Sequence, residues 1–445
     1  MSKTIKTSTI REFRDNFSES DKHPVLMNSV VKNGIQECGY TRETEVKNQF
    51  EFSISLNVGK VTNQKKSGRC WMFAALNIMR LEVMKKLNLE NMELSQAYPL
   101  FWDKLEKSNF FLENILETMD EEVDGRVVSF LLLDPLADGG QWDMFANLIR
   151  KYGVVPKEAM PESKSSSDTV QMDKLLTTKL RGYACELRKA HGSGESMEEL
   201  RRRKEGMLNT LYRMLCISLG EPPQKFTYET RDKDDKFIRI SDMEPREFYE
   251  KYVGLELDQY VSIINAPTAD KPYHRTFTVQ YLGNVREGER VLYLNLPSEE
   301  LKRLAVEQLK QGESVWFGSD VDKFSSRETG IMAMNAYDYE GLFSTDFPMD
   351  KAERLDFGES LMTHAMVLTG VNIDEQGNPN RWRVENSWGE DRGRNGFFVM
   401  SDDWFDQYTY QIVIHKKFLS GEQLKMLKAE PIVLKPWDPI GSLAK

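Results

Sequence analysis

Cysteine is scarce in this sequence, with 4 copies among 445 residues. The four, Cys38, Cys70, Cys185 and Cys216, are widely spaced, form no CxxC pair and do not cluster with other metal ligands. This spacing gives no sign of a metal site, so we predict neither a metal nor a cofactor. For every cysteine except Cys70, the simplest interpretation is inert packing.

Long apolar runs and an excess of positive charge are also missing. No stretch approaches the roughly 20 apolar residues that span a membrane, and the N-terminal Met-Ser-Lys-Thr-Ile-Lys-Thr-Ser lacks the apolar centre of a signal peptide. We therefore expect no membrane partner and no export. The net charge of −10 argues against an obligate nucleic-acid partner. The basic run at residues 201–204 is short and has acidic neighbours, so we interpret it as a solvated helix face or a subunit contact.

One cysteine stands in an unusual context. Cys70 follows the segment Gln64-Lys-Lys-Ser-Gly-Arg and precedes the apolar run Trp71-Met-Phe-Ala-Ala-Leu. The pattern predicts a thiol at the N-terminus of a helix, where free N–H groups and the helix dipole favour the thiolate. On its own, such a cysteine is more often a small buried apolar residue than a nucleophile.

A base and an orienting group for this thiol lie far downstream. His364 opens the strand-like run His-Ala-Met-Val-Leu-Thr-Gly, and Asn386 stands in Glu-Asn-Ser-Trp-Gly. A histidine can take the thiol proton, and an amide oxygen can fix the imidazolium without adding charge. The Cys70 backbone N–H and the Gln64 amide would then stabilise an oxyanion. Each residue alone could be a core or turn residue, but the combination favours nucleophilic catalysis.

Four short motifs occur once each and in a fixed order: Gln64, Cys70-Trp71, His364-Ala365 and Asn386-Ser387-Trp388-Gly389. Together they resemble the papain-like cysteine peptidases. Ser-Gly-Arg-Cys-Trp and the tail Asp-Pro-Ile-Gly-Ser-Leu-Ala-Lys445 are similar to the bleomycin hydrolase and aminopeptidase C branch, in particular the bacterial cytosolic aminopeptidase C. Secreted papains have a second cysteine just before the nucleophile, and its absence here fits a reducing cytoplasm.

The resemblance covers essentially the whole chain and implies a fold and an activity. The fold is α+β, a two-lobed papain-like fold with the nucleophile in a helical lobe and His364 and Asn386 in an antiparallel β lobe. The activity is that of a cysteine aminopeptidase, which releases N-terminal residues from peptides with a free N-terminus through an acyl-enzyme. Family members also hydrolyse bleomycin-like amides and form hexamers with active sites facing an internal channel, so we expect a homohexamer.

The resemblance also implies roles for residues whose own chemistry leaves them open. Trp388 would shield the His–Asn hydrogen bond from water. Composition alone predicts a frayed C-terminal tail, but in the family this tail lies in the cleft and its carboxylate meets the substrate amine. Ala444 and Lys445 are therefore substrate-binding candidates. Gly139 and Gly140 either hydrogen-bond an extended peptide or form a simple turn before a helix.

The domain organisation follows from the spacing of the motifs. His364 follows Cys70 at about twice the roughly 130–150 residues found in papain, so an insertion separates them. We predict an N-terminal extension at 1–50, a helical lobe at 51–165, a helical insertion for oligomerisation at 166–265, a β lobe at 266–435 and the tail at 436–445. Thr9-Ile-Arg-Glu12 and Ser196-Met-Glu-Glu199 have the form of capping boxes that open helices.

Two other functions keep the same sequence features. An endopeptidase or acyltransferase would use the same nucleophile with a displaced tail. A protein that binds nucleic acid or peptides would not need the nucleophile at all. Replacing Cys70 by alanine separates these interpretations, because binding should survive the change and hydrolysis should not.

Overall fold

The computed structural model describes residues 3–444; the predicted substrate-binding residue Lys445 lies outside them. The α-helices of the described range are Thr7–Ser18, Lys22–Asn33, Ile35–Gly39, Arg42–Lys47, Cys70–Lys86, Ala97–Glu117, Arg126–Leu133, Trp142–Tyr152, Lys164–Ser167, Val170–Gly192, Met197–Leu219, Pro245–Phe248, Ser298–Lys310, Tyr339–Phe343, Lys351–Asp356, Asp402–Tyr408 and Gly421–Met426. The strands are Ile54–Ser55, Phe226–Arg231, Phe237–Met243, Tyr260–Ile264, Arg275–Val279, Tyr293–Asn295, Val315–Ser319, Ser325–Ser326, Ile331–Met332, His364–Ile373, Pro379–Glu385, Phe397–Ser401, Thr409–His415 and Ile432–Leu434.

The centre of the β lobe is an antiparallel sheet. Its neighbouring strands run in the order Thr409–His415, Val315–Ser319, His364–Ile373, Pro379–Glu385 and Phe397–Ser401. All eight residues from His364 to Val371 are buried, because helices or loops cover both faces of this strand. The predicted strands at His364 and before Asn386 are confirmed, and the Asp-Glu-Gln-Gly-Asn turn joins them.

The helix that begins at Cys70 is the core of the other lobe. Trp71, Met72, Phe73 and Leu76 are all fully or almost fully buried, so the first turns of the helix are packed on every side, as in a central helix. It packs against the strand that begins at His364. The Trp316 indole of the β lobe donates to the backbone oxygen of Trp71 at 3.2 Å, which ties the helix start to the sheet.

The two long helices of the predicted insertion begin in its first half. Helices Val170–Gly192 and Met197–Leu219 pack on Ala97–Glu117. The capping box at Ser196 is confirmed, since its hydroxyl accepts the Glu199 N–H at 3.3 Å and Glu199 accepts the Ser196 N–H at 2.8 Å. An unexpected hairpin, Phe226–Arg231 with Phe237–Met243, follows. Strand Tyr260–Ile264 then joins the main sheet.

The basic run of the insertion is neutralised within the chain. Arg201 and Lys204 both contact the Glu113 carboxylate, and Arg202 and Arg203 pair with glutamates of the insertion itself. The run therefore forms an ion-paired helix face, and the two interpretations of it, a solvated face or a subunit contact, both stay predictions.

The first two helices are exposed, unlike the buried helix that begins at Cys70. Each described residue of Thr7–Ser18 and Lys22–Asn33 is at least partly exposed, including Phe13 and Val31. The capping box at Thr9 is wrong, because the helix already begins at Thr7 and its cap residue Lys6 makes no side-chain cap bond. Among residues 3–444, no helix is both long enough and apolar enough to cross a membrane.

Candidate active site

The candidate nucleophile lies where the sequence placed it. Cys70 is the first residue of its helix and is 4% exposed. Burial raises the pKa of its thiol to about 11, while backbone N–H groups of Ala365 and Trp71 donate to the sulphur and oppose that rise. The predicted effect of the helix start is thus present, but in this closed site the desolvation of a lone thiolate outweighs it.

The backbone of His364 lies next to this thiol, since the N–H of the following residue, Ala365, donates to the sulphur. The imidazole Nε2 and the Asn386 side-chain oxygen are 2.9 Å apart. That bond leaves Nδ1 as the ring nitrogen available to the thiol. Burial lowers the pKa of His364 to about 4, against the opposing effect of the Asn386 hydrogen bond.

The two shifts describe a resting site that is electrically neutral. At neutral pH a thiol with a pKa of about 11 keeps its proton, and an imidazole with a pKa of about 4 carries no charge. Transfer of the proton from Cys70 to His364 creates two opposite charges side by side. Their attraction offsets part of the burial cost that either charge would carry alone.

Trp388 covers the histidine. The ring centroid of Trp388 lies 4.9 Å from that of His364. The Arg327 guanidinium lies over the Trp388 ring, 4.6 Å from its centroid. Phe398 meets Trp388 edge to face. The indole is therefore held in place beside the His364–Asn386 pair, as shielding of that hydrogen bond from water requires.

Gln64 is fixed by both lobes. Its side-chain oxygen accepts the Ser387 hydroxyl at 2.6 Å, and its amide nitrogen donates to the Ser67 carbonyl at 2.6 Å. Its backbone N–H donates to the Ser387 carbonyl at 2.8 Å. An amide nitrogen carries two hydrogens, so one remains for an oxyanion. Ser387, the residue after Asn386, thus orients the Gln64 side chain, the candidate for a second oxyanion donor.

The two candidate glycines are buried, and the surroundings of Gly140 explain why it has no side chain. A Cβ on Gly140 would lie 2.5 Å from the Trp71 ring, so only glycine fits there. The Gly139 carbonyl accepts from the Lys107 ammonium at 2.6 Å. A role in binding a peptide backbone stays a prediction for both.

The tail folds onto the chain close to His364. Residues Pro439–Ala444 form a 3₁₀ helix, in which Ile440 and Leu443 are buried. The Ser442 hydroxyl donates to the Met362 carbonyl at 2.9 Å, two residues before His364. Ala444 lines a mainly apolar cavity of about 270 Å³ together with Phe110 and Phe130.

Sequence reasoning missed one pair that joins the two lobes near the site. Arg80, on the nucleophile helix, contacts the carboxylate of Glu385 at 2.7 Å, and both side chains are 1% exposed. Glu385 immediately precedes Asn386, so the pair ties the cysteine-bearing helix to the asparagine-bearing strand. Burial raises the pKa of Glu385 to about 7 against the opposing charge of Arg80. An arginine on a helix gives no local signal of such a partner.

A buried thiol at a helix start, a strand-borne histidine held by an asparagine amide, and a glutamine side chain free to bind an oxyanion define a papain-like cysteine peptidase. The match to known proteins is in agreement. The model of the Peptidase C1-like family matches residues 4–441, and the chain belongs to this family.

Whole-length relatives narrow the class. The chain is 49% identical over 441 residues to "Aminopeptidase C" of Streptococcus thermophilus, covering 99% of each chain, and 44% identical over 403 residues to "Bleomycin hydrolase" of Homo sapiens, covering 89% of each. The crystal structure of PepW from Lactobacillus rhamnosis HN001 is 50% identical with a TM-score of 0.98, covering 99% of each chain. The predicted α+β fold is confirmed, and the chain is a cysteine aminopeptidase of the papain-like kind.

Proposed function

We propose that Cys70 is the nucleophile, His364 the base, Asn386 its orienting partner and Gln64 an oxyanion donor. The observation that carries this assignment is the junction at the start of one strand. There His364 is hydrogen-bonded to Asn386 at 2.9 Å, and the adjacent Ala365 N–H donates to the Cys70 sulphur. One strand end therefore brings the base to the thiol.

The reaction follows from this geometry. The Cys70 thiol gives its proton to His364, and its sulphur forms a bond to the carbonyl carbon of the first peptide residue. The carbonyl oxygen becomes an oxyanion that accepts from the Cys70 backbone N–H and the free Gln64 hydrogen. The imidazolium then protonates the leaving amine as the C–N bond breaks. Water, deprotonated by His364, hydrolyses the thioester and releases the first amino acid.

The tail accounts for the preference for a free N-terminus. Buried Ile440 and Leu443 hold it, as does the ion pair between Asp438 and the buried Lys271 at 2.9 Å. A carboxylate at the end of this tail would pair with a charged α-amine and would disfavour an acylated one.

A pair of substrates tests this selectivity. We expect a fluorogenic peptide amide with a free N-terminus to be cleaved and its N-acetylated twin to be spared. Removing residues 441–445 should open the cleft and allow cleavage of the acetylated twin, and Cys70→Ala in either background serves as the inactive control. Equal cleavage of both substrates by the full chain would favour the endopeptidase alternative. Cleavage of neither substrate would favour a binding protein.

We extend the proposal to the setting of the enzyme: a cytoplasmic homohexamer that degrades peptides. The exposed apolar side chains of the first two helices, among them Phe13, Phe17 and Val31, support self-association, because such side chains gain by burial against a second copy. Deleting residues 3–33 should lower the mass measured by light scattering in solution. An unchanged hexamer would remove these helices from the interface.

The human relative's name extends the proposed substrate class to bleomycin-like amides. Loss of a free primary amide from bleomycin, followed by mass spectrometry, tests this directly. The Cys70→Ala variant is the matched control, and an unchanged drug would confine the enzyme to peptides.

A further inference from the structure

The segment at the start of the helical insertion runs along the loop that leads to the nucleophile. We call residues 64–69 the nucleophile loop. The Lys66 N–H donates to the Ser167 carbonyl at 3.0 Å, and the Thr169 N–H donates back to the Lys66 carbonyl at 3.3 Å. The insertion therefore pairs with the loop in the manner of a short parallel bridge.

A bidentate ion pair between buried Arg69 and partly exposed Glu162 holds the end of this loop. The Arg69 guanidinium makes two bonds of 2.9 Å to the two oxygens of Glu162, and its third nitrogen donates to the Ser67 hydroxyl at 2.9 Å. Arg69 is fully buried and directly precedes Cys70. The Ser166 hydroxyl donates to Glu162 at 2.6 Å and fixes the carboxylate from the other side. Such a bidentate pair specifies direction as well as distance.

Asp138 holds the middle of the loop and the start of the helix. Its carboxylate accepts the Gly68 N–H at 2.8 Å and the Thr169 hydroxyl at 2.5 Å. Its backbone oxygen accepts the Trp71 indole N–H at 2.8 Å. A Cβ on Gly68 would lie 2.7 Å from the Asp138 side chain, so the glycine lets the two segments meet.

Lys104 anchors this aspartate from the long helix Ala97–Glu117. Its buried ammonium lies 2.7 Å from Asp138 and 2.9 Å from Asp173, the latter in the first turn of an insertion helix. Burial alone would raise the pKa of Asp138, but Lys104 and the hydrogen bonds from Thr169 and Gly68 hold it well below its usual range. Asp138 therefore stays a carboxylate, and so a full acceptor, at neutral pH.

The position of these contacts gives them a role beyond stability. Gln64, whose amide is one proposed oxyanion donor, is the first residue of the nucleophile loop. Cys70, whose backbone N–H is the other donor, directly follows the last residue of the loop. The loop conformation therefore sets the distance between the donors. We propose that Asp138, Glu162 and Thr169 are positioning residues that hold this loop, and that the insertion takes part in catalysis through Thr169. A misplacement of about 1 Å costs on the order of 10²-fold in rate.

Three variants and a control test the proposal. Asp138→Ala, Glu162→Gln and Thr169→Val remove one contact each. Glu113→Gln is the matched control: Glu113 also lies on the long helix and pairs with the insertion through Arg201 and Lys204, but it does not touch the nucleophile loop. We expect kcat to fall about 10-fold to 100-fold in Asp138→Ala and about 10-fold in Glu162→Gln. KM should change less than about twofold.

The conservative replacement Asp138→Asn separates positioning from folding. Asparagine keeps an acceptor for the Gly68 N–H, so it should recover part of the kcat that alanine loses. Glu113→Gln should keep kcat within twofold of the wild type even where the melting temperature falls as far as in Glu162→Gln. If Glu113→Gln loses as much kcat as Glu162→Gln, or if both Glu162→Gln and Thr169→Val keep the wild-type kcat, the proposal is overturned.

The outcome does not depend on selectivity for a free N-terminus. The proposal rests on Cys70 as the nucleophile but not on the tail, so kcat can be measured with whichever of the two fluorogenic substrates the wild type cleaves. Should Asp138→Ala not fold, Glu162→Gln and Thr169→Val decide the question.

Discussion

The cysteine side and the histidine side of the site are held by different kinds of contact. Arg69 and Asp138 are fixed by partly buried ion pairs with Glu162 and Lys104, respectively. The His364 imidazole instead has a neutral hydrogen-bond partner, the Asn386 amide, and a neutral aromatic neighbour. Charges thus hold the loop, whereas neutral groups touch the ring whose charge changes during turnover. A fixed charge at the ring would favour one protonation state throughout the cycle.

The largest effect on activity is expected when the Cys70 thiol is removed. Cys70→Ala should lower kcat/KM by at least about 10⁴-fold, because no other group in the site can form the acyl-enzyme. Cys185→Ala is the control, since Cys185 is exposed and free. Both can be measured with the fluorogenic substrate under identical conditions. Retention of activity in Cys70→Ala would invalidate the mechanism for both sides of the site.

The next effect concerns the pair that joins the two sides. Arg80→Met should lower the free energy of unfolding by about 3–5 kcal/mol, because Glu385 is then buried without its partner and either keeps an unpaired charge or takes up a proton. The double variant Arg80→Met, Glu385→Leu should recover much of that loss. Glu43→Gln, which breaks the exposed Lys47–Glu43 pair, should leave stability nearly unchanged. Urea titrations measure all three, and an additive double variant would argue against a coupled pair.

A smaller effect follows from the neutral state of His364. Its pKa of about 4 in the folded chain lies below the ordinary 6.5. Between pH 6.5 and 4 the unfolded chain takes up a proton that the folded imidazole does not, so stability falls as pH falls. The loss contributed by this ring reaches about 3 kcal/mol near pH 4.

Urea titrations at pH 7 and pH 4.5 compare the wild type with His364→Gln, which should lose less stability on acidification. His274→Asn, at an exposed histidine, should keep the wild-type sensitivity. Equal acid sensitivity in His364→Gln and the wild type would mean that the folded imidazole is protonated like a free one.

The smallest effect places a charge where the structure has a neutral partner. Asn386→Asp should raise the pKa of His364 by about one unit or more, since a carboxylate beside an imidazolium stabilises its charge. The acidic limb of the pH profile of kcat/KM should move to match. If the acidic limb of the profile stays in place, the charge of the partner does not affect the pKa of His364. The difference between charged contacts on the cysteine side and neutral contacts on the histidine side would then have no effect on the reaction.

Much of the site could be predicted because its groups stand in contiguous motifs. Cys70 with Trp71, and Asn386 with Ser387 and Trp388, carry their neighbours with them. Arg80 and Glu385 lie 305 positions apart, so only the packed structure reveals their contact. Asp138 directly precedes the candidate residue Gly139 in the sequence, but its role depends on contacts with Lys104 and Thr169, which no local pattern connects to it.

Short sequence motifs of the same form predicted the local structure correctly at one position and wrongly at another. The Ser196 and Thr9 motifs have the same form, yet only the one on a helix packed against the core proved to be a capping box. The hairpin Phe226–Met243 was missed although apolar and polar residues alternate in Phe-Thr-Tyr-Glu-Thr. That alternation was the available signal for a strand within a range assigned to helices.

The contacts that hold the nucleophile loop include no disulfide bond, and all four cysteines of the chain are free thiols. The loop, residues 64–69, and its partners at 162–173 are separated by a long stretch of chain, so the site assembles only after a distant loop closure. Maturation of the enzyme then needs no oxidant and no disulfide isomerase. A denatured chain should regain its full activity in excess dithiothreitol, with the return of activity lagging behind the return of helical circular dichroism.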